Sequence, residues 1–198
     1  MRFQINTARN FSLSHFTPSM LSVTASAPER CDFVLKDCGV PTANAIRRAC
    51  HAYVRTLAFH TAEIESNEGA YENELLAHRL GLLVLRGTTP GWATIDVTCD
   101  QANMNVTARH VTWPEGVSPA HPDTVLTTLQ RGQRLCLRAN IEWGCGSDHA
   151  KWNPCSTVSM DKREDGVHMG IRSCGQYNAI DVARRATECI IERLSNIN

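Results

Sequence analysis

The sequence predicts an α+β fold in which a β-rich segment is inserted into a module of antiparallel sheet and helices. Three observations carry this reading. Apolar residues recur at helical spacing over 42–57, 72–80 and 178–195. Two-residue alternation marks other stretches as half-buried strands, most strictly over 134–143. The composition shifts to Gly, Thr and Pro at 86–92, and from there to about residue 160 only β patterns occur.

The elements follow in order. Residues 3–16 hold short alternating pieces, with Phe3, Ile5, Phe11 and Leu13 at inward positions. Residues 17–30, rich in Ser, Pro and Ala, read as a loop or a weak strand, and Cys31 to Lys36 as a strand. The first helix is predicted over 42–57 from Ile46, Ala49, Cys50, Tyr53, Val54 and Leu57, with Thr42 as its N-cap after Pro41. On that helix Arg48, His51 and Arg55 would share a face. Phe59 to Glu65 is a predicted strand. A short helix follows at 72–80, with Gly81 as its stop and Leu82 to Leu85 extended beyond it.

In the β-rich segment Ile95, Val97 and Cys99 alternate, as do Met104, Val106 and Ala108. Three prolines and a glycine make 114–123 a loop. Leu135, Leu137, Ala139, Ile141 and Trp143 define one face of the next strand, and Val167, Met169 and Ile171 one face of the last. The C-terminal helix, 178–195, carries an apolar stripe of Ala179, Val182, Ala183, Ala186, Ile190 and Leu194. Asn178 and Asp181 supply a cap-like start.

Bulk numbers narrow the function. The 198 residues suffice for one large domain or two small ones, and 42% hydrophobic content supports a core. Twenty basic residues balance twenty acidic ones, so the net charge is zero. That argues against a chain that holds nucleic acid by itself. Nine scattered cysteines, none as Cys-x-x-Cys, read as reduced thiols of an intracellular protein, many serving as small core residues. No apolar run approaches a membrane span, and no signal-peptide pattern opens the chain.

Residues 146–154, Gly-Ser-Asp-His-Ala-Lys-Trp-Asn-Pro, directly follow the strictly alternating strand. An imidazole, a cation and an indole (His149, Lys151 and Trp152) fall within four residues of one loop. No turn requires that set, so the loop either binds a partner or packs internally. Catalytic signatures are missing: no His-x-x-x-His, no Gly-x-Ser-x-Gly and no phosphate loop. Cys145, between two glycines and near His149, leaves open a small intracellular thiol enzyme using Cys145 and His149.

Three segments, in this order, carry a family resemblance. Ala43-Asn44-Ala45-Ile46-Arg47-Arg48, followed by Leu76-Ala77-His78-Arg79-Leu80-Gly81-Leu82, resembles the dimerisation module of α-like RNA polymerase subunits, of the archaeal D and eukaryotic polymerase II third-largest type. Leu129-Gln130-Arg131-Gly132-Gln133-Arg134-Leu135 through His149-Ala150-Lys151-Trp152-Asn153-Pro154 is similar to their inserted domain. Ser173-Cys174-Gly175 and the last helix resemble their C-terminal end.

The resemblance implies an α-like dimerisation module made of residues 1–85 and 157–198, interrupted by an inserted domain at 86–156. It implies a non-catalytic scaffold of a DNA-directed RNA polymerase. Such a chain would heterodimerise with a smaller α-like subunit, nucleate assembly of the two large catalytic subunits, and meet small accessory subunits. No direct nucleic-acid binding, membrane contact or cofactor is expected. The compartment would be the nucleus for a cellular eukaryotic subunit, and the cytoplasm or virion otherwise. The implied interface residues are Asn44, Ile46, Arg47, Arg48, His78, Arg79, Leu80, Gly81, Leu82, His149, Lys151 and Trp152, with Trp152 as a buried anchor. Departures accompany the match. The stretch 86–130 holds only Cys99, too few thiols for the metal or cluster site of many relatives, so no metal is expected. Val84 and Arg55 stand where the family pattern has proline.

Overall fold

A computed structural model describes residues 21–196. The strand pieces expected at 3–16 lie outside the described residues. The described chain runs β1 (Leu21–Ala27), β2 (Arg30–Leu35), α1 (Val40–Ala52), β3 (Arg55–Asn67), α2 (Asn73–Gly81), β4 (Leu85–Gly87), β5 (Gly91–Thr98), β6 (Asn103–Thr107), β7 (Val117–Pro119), β8 (Val125–Gln130), β9 (Arg134–Cys145), β10 (Cys155–Arg163), β11 (Gly166–Ser173) and α3 (Ala179–Ser195). The fold is mixed α+β with antiparallel sheets throughout.

One core lies under α1 and α3. They cover a four-stranded sheet in the order β1-β2-β11-β10. Period-two alternation puts Cys31, Phe33 and Leu35 of β2 on the helix side, opposite Ile171, Met169 and Val167 of β11. Ala43, Ile46, Ala49 and Cys50 of α1 and Ala179, Val182 and Ala186 of α3 close that core.

The second core is larger. It joins the sheet β3-β9-β5 with the pairs β4-β7 and β6-β8. β9 follows its alternation closely: Leu135, Leu137, Ala139 and Ile141 are buried, while Arg138 is exposed on the opposite face. α2 belongs to this core and not beside α1. Its Leu76 and Leu80 are fully buried in the same cluster as Leu57, Phe59, Leu126 and Leu129.

The helix expected over 42–57 ends at Ala52. Tyr53 caps it, Val54 is buried, and Arg55 opens β3 opposite Cys145. Thr56, Leu57, Ala58 and Phe59 are buried in succession because β3 is covered on both faces there. A continuous apolar run of that kind has no readable period. Gly39, not Thr42, is the N-cap, and it makes no side-chain cap bond. Gly81 is the last residue of α2, with Leu82 as C-cap in right-handed conformation. The serine-rich stretch before Cys31 contains β1, and Ala108 starts a 3-10 turn after β6 rather than extending it.

Candidate functional site

The loop after β9 turns back beneath the end of α1. Gly146 makes the return feasible: a Cβ there would meet the His51 carbonyl oxygen at 1.9 Å. The Ser147 amide donates to the Ala52 carbonyl at 3.0 Å, and the His51 ring bonds Asn153 Oδ1 at 3.3 Å. Asn153 Oδ1 also accepts the Cys155 amide at 3.1 Å, which fixes the entry to β10.

Trp152 lies in a short 3-10 turn, Ala150–Trp152, capped by His149, whose Nδ1 accepts the Lys151 amide at 3.1 Å. The indole is 6% exposed. It lies on Gly144, where a Cβ would sit 2.4 Å from the ring, and its N–H donates to the Glu142 carbonyl at 3.2 Å. The Thr56 hydroxyl donates to the Trp152 carbonyl at 2.7 Å. Trp152 therefore packs inside its own chain. As a partner's anchor it is already occupied, because burial and both polar groups are satisfied internally.

Above the indole stands a polar row. Lys151 Nζ is 4.3 Å from the Trp152 ring centroid and 3.4 Å from His60 Nδ1. The His60 ring stacks on Trp152 at 5.8 Å, and its Nε2 faces Glu142 Oε2 at 3.9 Å. Asn140 Nδ2 donates to Glu142 Oε1 at 2.6 Å. Partial burial lowers the Lys151 pKa from its ordinary value, against the opposing pull of the Glu142 carboxylate.

The remaining expected residues divide by burial. Ile46 and Leu80 are 5% and 1% exposed, one in each core, so their side chains hold this chain together and do not face a partner. Asn44 accepts Arg47 Nε at 3.0 Å, which orients Arg47 along α1. Arg48 is exposed, and α1 carries no carboxylate of its own. Arg55 lies on β3, so the shared helical face of Arg48, His51 and Arg55 does not form. His78 is exposed and Leu82 is 52% exposed. Arg79 neither caps α2 nor faces outward. Its guanidinium donates to the Leu126 carbonyl at 2.9 Å and to that of Val125, and it lies over the Tyr71 ring.

Two of the expected segments meet. A Cβ on Gly81 would lie 3.8 Å from Lys151 Cδ, so the α2 end borders the Lys151 turn. Sequence reasoning missed His60, Glu142 and Thr56. Alternation could have placed His60 and Glu142 on outward strand faces, but nothing in the sequence sets the β3–β9 register that joins them. The thiol-enzyme pairing is absent: Cys145 Sγ bonds Asp148 Oδ2 and Ser147 Oγ, both at 3.1 Å, while His149 Nδ1 is held by the Lys151 amide. Hydrogen bonds from the Cys145 thiol and the Cys145 amide hold the Asp148 carboxyl below the usual carboxylate range. Cys99 is buried with its thiol directed at the Gln101 carbonyl. No helix among the described residues is long and apolar enough to cross a membrane.

Residues 88–161, from before β5 to within β10, match the RNA polymerase Rpb3/RpoA insert domain. The chain is 32% identical to the DNA-directed RNA polymerase subunit Rpo3 of Methanopyrus kandleri, over 66% of this chain and 54% of that protein. The stretch 88–161 is thus an insert domain of the Rpb3/RpoA type, and the chain is similar to third subunits of DNA-directed RNA polymerases. Subunit 3 of DNA-directed RNA polymerases II, IV and V from Arabidopsis thaliana is also similar, at 30% identity over 65% of this chain and 52% of that protein. Rpo3 of Methanocaldococcus jannaschii is 28% identical over 74% of this chain and 78% of its own length. The chain thus spans about half the length of its Methanopyrus and Arabidopsis relatives.

Proposed function

We propose that this chain is the third-subunit scaffold of a DNA-directed RNA polymerase, not catalytic itself. It pairs with a smaller α-like subunit and nucleates assembly of the two large catalytic chains, with small accessory subunits joining later. The observation that carries the reading is the insert-domain match over 88–161 together with third-subunit relatives covering about two thirds of the chain. The division into a dimerisation module, residues 1–85 and 157–198, around an insert at 86–156 belongs to the same proposal. So does an intracellular location, nuclear or otherwise according to host.

The geometry supports a partner on the helical side. The α3 stripe is buried at Ala179, Val182 and Ala186, only half-buried at Ile190, and 46% exposed at Leu194. Its C-terminal half thus presents apolar surface that the sheet leaves uncovered. Arg48 of α1 offers a guanidinium without an intrachain carboxylate among the described residues, the type of group that grips a carboxylate or carbonyl on a neighbour.

The test is affinity purification of tagged chain from its native source, with mass spectrometry of what accompanies it. Two very large chains and one small α-like chain are expected. Arg48→Ala should keep the fold by circular dichroism and reduce recovery of the large chains at least fivefold. Recovery of a soluble, solitary chain would overturn the proposal.

A further inference from the structure

We propose that Lys151 is an acyl-acceptor site, modified by acyl thioesters with His60 as the proton acceptor and Glu142 as the group that orients His60. The inference does not rest on the polymerase reading: it concerns the reactivity of the chain by itself, and of its three side chains only Lys151 is among the interface residues that the resemblance implies.

The chain has three lysines, Lys36, Lys151 and Lys162. Lys36 and Lys162 are exposed, and neither is hydrogen-bonded to an imidazole among the described residues. Lys151 differs in each respect. It is half-buried, its Nζ is 3.4 Å from His60 Nδ1, and the Trp152 face and the Gly81 edge confine its stem. The Glu142 carboxylate, 3.9 Å from His60 Nε2, favours the tautomer with its hydrogen on Nε2. That leaves the Nδ1 lone pair facing the amine. Glu142 is itself fixed by Asn140. A carboxylate, an imidazole and a nucleophile in this sequence is the arrangement by which hydrolases activate a hydroxyl, here built around an amine. Partial burial acts in the same direction by disfavouring the ammonium form.

The step balances without an oxidant or reductant. The ammonium proton passes to His60 Nδ1, and the freed lone pair attacks the thioester carbonyl carbon. The C–N bond forms and the C–S bond breaks. The thiolate leaves with the bonding pair and takes up the proton that the amide nitrogen sheds. The product is a neutral amide, so the cation over Trp152 is lost and the ammonium–imidazole bond with it.

The experiment treats the full-length chain with the acetyl thioester of N-acetylcysteamine near neutral pH and follows acetylation of each lysine by quantitative peptide mass spectrometry. Lys151 should react at least fivefold faster than Lys36 and Lys162. His60→Gln should bring it within twofold of them, and Glu142→Gln should give an intermediate rate. Equal rates at the three lysines of the unmodified chain would overturn the site without recourse to any variant. An undiminished Lys151 rate in folded His60→Gln protein would overturn the role of the imidazole.

Discussion

A methyl group on Gly144 would lie 2.4 Å from the Trp152 indole, and one on Gly146 would lie 1.9 Å from the His51 carbonyl oxygen. Neither glycine has a positive φ, so the requirement is space and not backbone freedom. The two obstacles differ. An indole in a packed site can shift only by disturbing its hydrogen bond to the Glu142 carbonyl. A backbone carbonyl can shift only by moving the end of α1. Gly146→Ala is therefore expected to destabilise the chain more than Gly144→Ala, by about 3 kcal/mol or more in urea unfolding. A loss within about 0.5 kcal/mol, the range of a neutral surface substitution, would show that the loop does not pack under α1 as described. The sequence shows both glycines only as neighbours of Cys145, and it shows His149, Lys151 and Trp152 as an unusual cluster. Close approach to a helix ninety residues earlier leaves no local mark, which is why internal packing of Trp152 could not be separated from docking on a partner.

At the scale of elements, α2 is the instructive case. Its short amphipathic pattern was legible, and so was its length, but the core it joins was not. Leu76 and Leu80 would suit either core, because burial of leucine carries no address. Arg79 supplies what the leucines cannot. By donating to the Val125 and Leu126 carbonyls it ties α2 to the start of β8 at a fixed register. Arg79→Ala leaves those carbonyls without this donor and removes the cation over Tyr71. The expected cost is about 2 kcal/mol, within the range for hydrogen bonds from a charged group. Arg79→Lys should recover less than half of it, since one ammonium cannot reproduce the two-pronged contact. Hydrogen exchange offers the local readout: faster exchange at Leu76 and Leu80 than at Ile46 is expected in the alanine variant, and unchanged protection of α2 would refute the role. The end of α1 illustrates the opposite difficulty. Leu57 fits a helical period by coincidence, because a strand covered on both faces buries successive residues.

Across the whole molecule, the loop between β11 and α3 ties the two cores. Arg86 donates to the Gly175 carbonyl at 2.7 Å, His121 bonds the Cys174 carbonyl at 2.9 Å, and the Tyr177 hydroxyl donates to the Arg55 carbonyl at 2.8 Å. Strand alternation and helix periods revealed most of the elements on both sides of this strap. They gave no sign of the strap itself, which consists of side chains reaching backbone carbonyls far away in sequence. Cysteine use was more legible: the scattered thiols read as core residues, and Cys31, Cys50, Cys99 and Cys155 are buried. That burial fixes how stability responds to alkali. Burial pushes the Cys50 thiol from 9.0 up to about 12, and pushes Cys155 upward in the same way. In the unfolded chain these thiols ionise near 9.0, while in the folded chain they stay protonated. Their contribution is therefore fully present below pH 9.0 and declines as pH rises from there towards the folded value. The slope is about 1.4 kcal/mol per pH unit for each such thiol. Acid has a weaker hold, because the carboxyls held below their usual range, Asp96, Asp123, Asp148 and Asp165, are all exposed and screened. Urea titrations of the unmodified chain and of Cys50→Ala, under reducing conditions from pH 8 to 11, separate the buried thiol from every other alkaline group. The alanine chain should start less stable by an amount set by the lost sulfur. Above pH 9 it should then lose stability more gently, by up to about 1.4 kcal/mol per pH unit. Parallel profiles would mean that Cys50 ionises as easily in the folded chain as in the unfolded one, and that the core beneath α1 admits water.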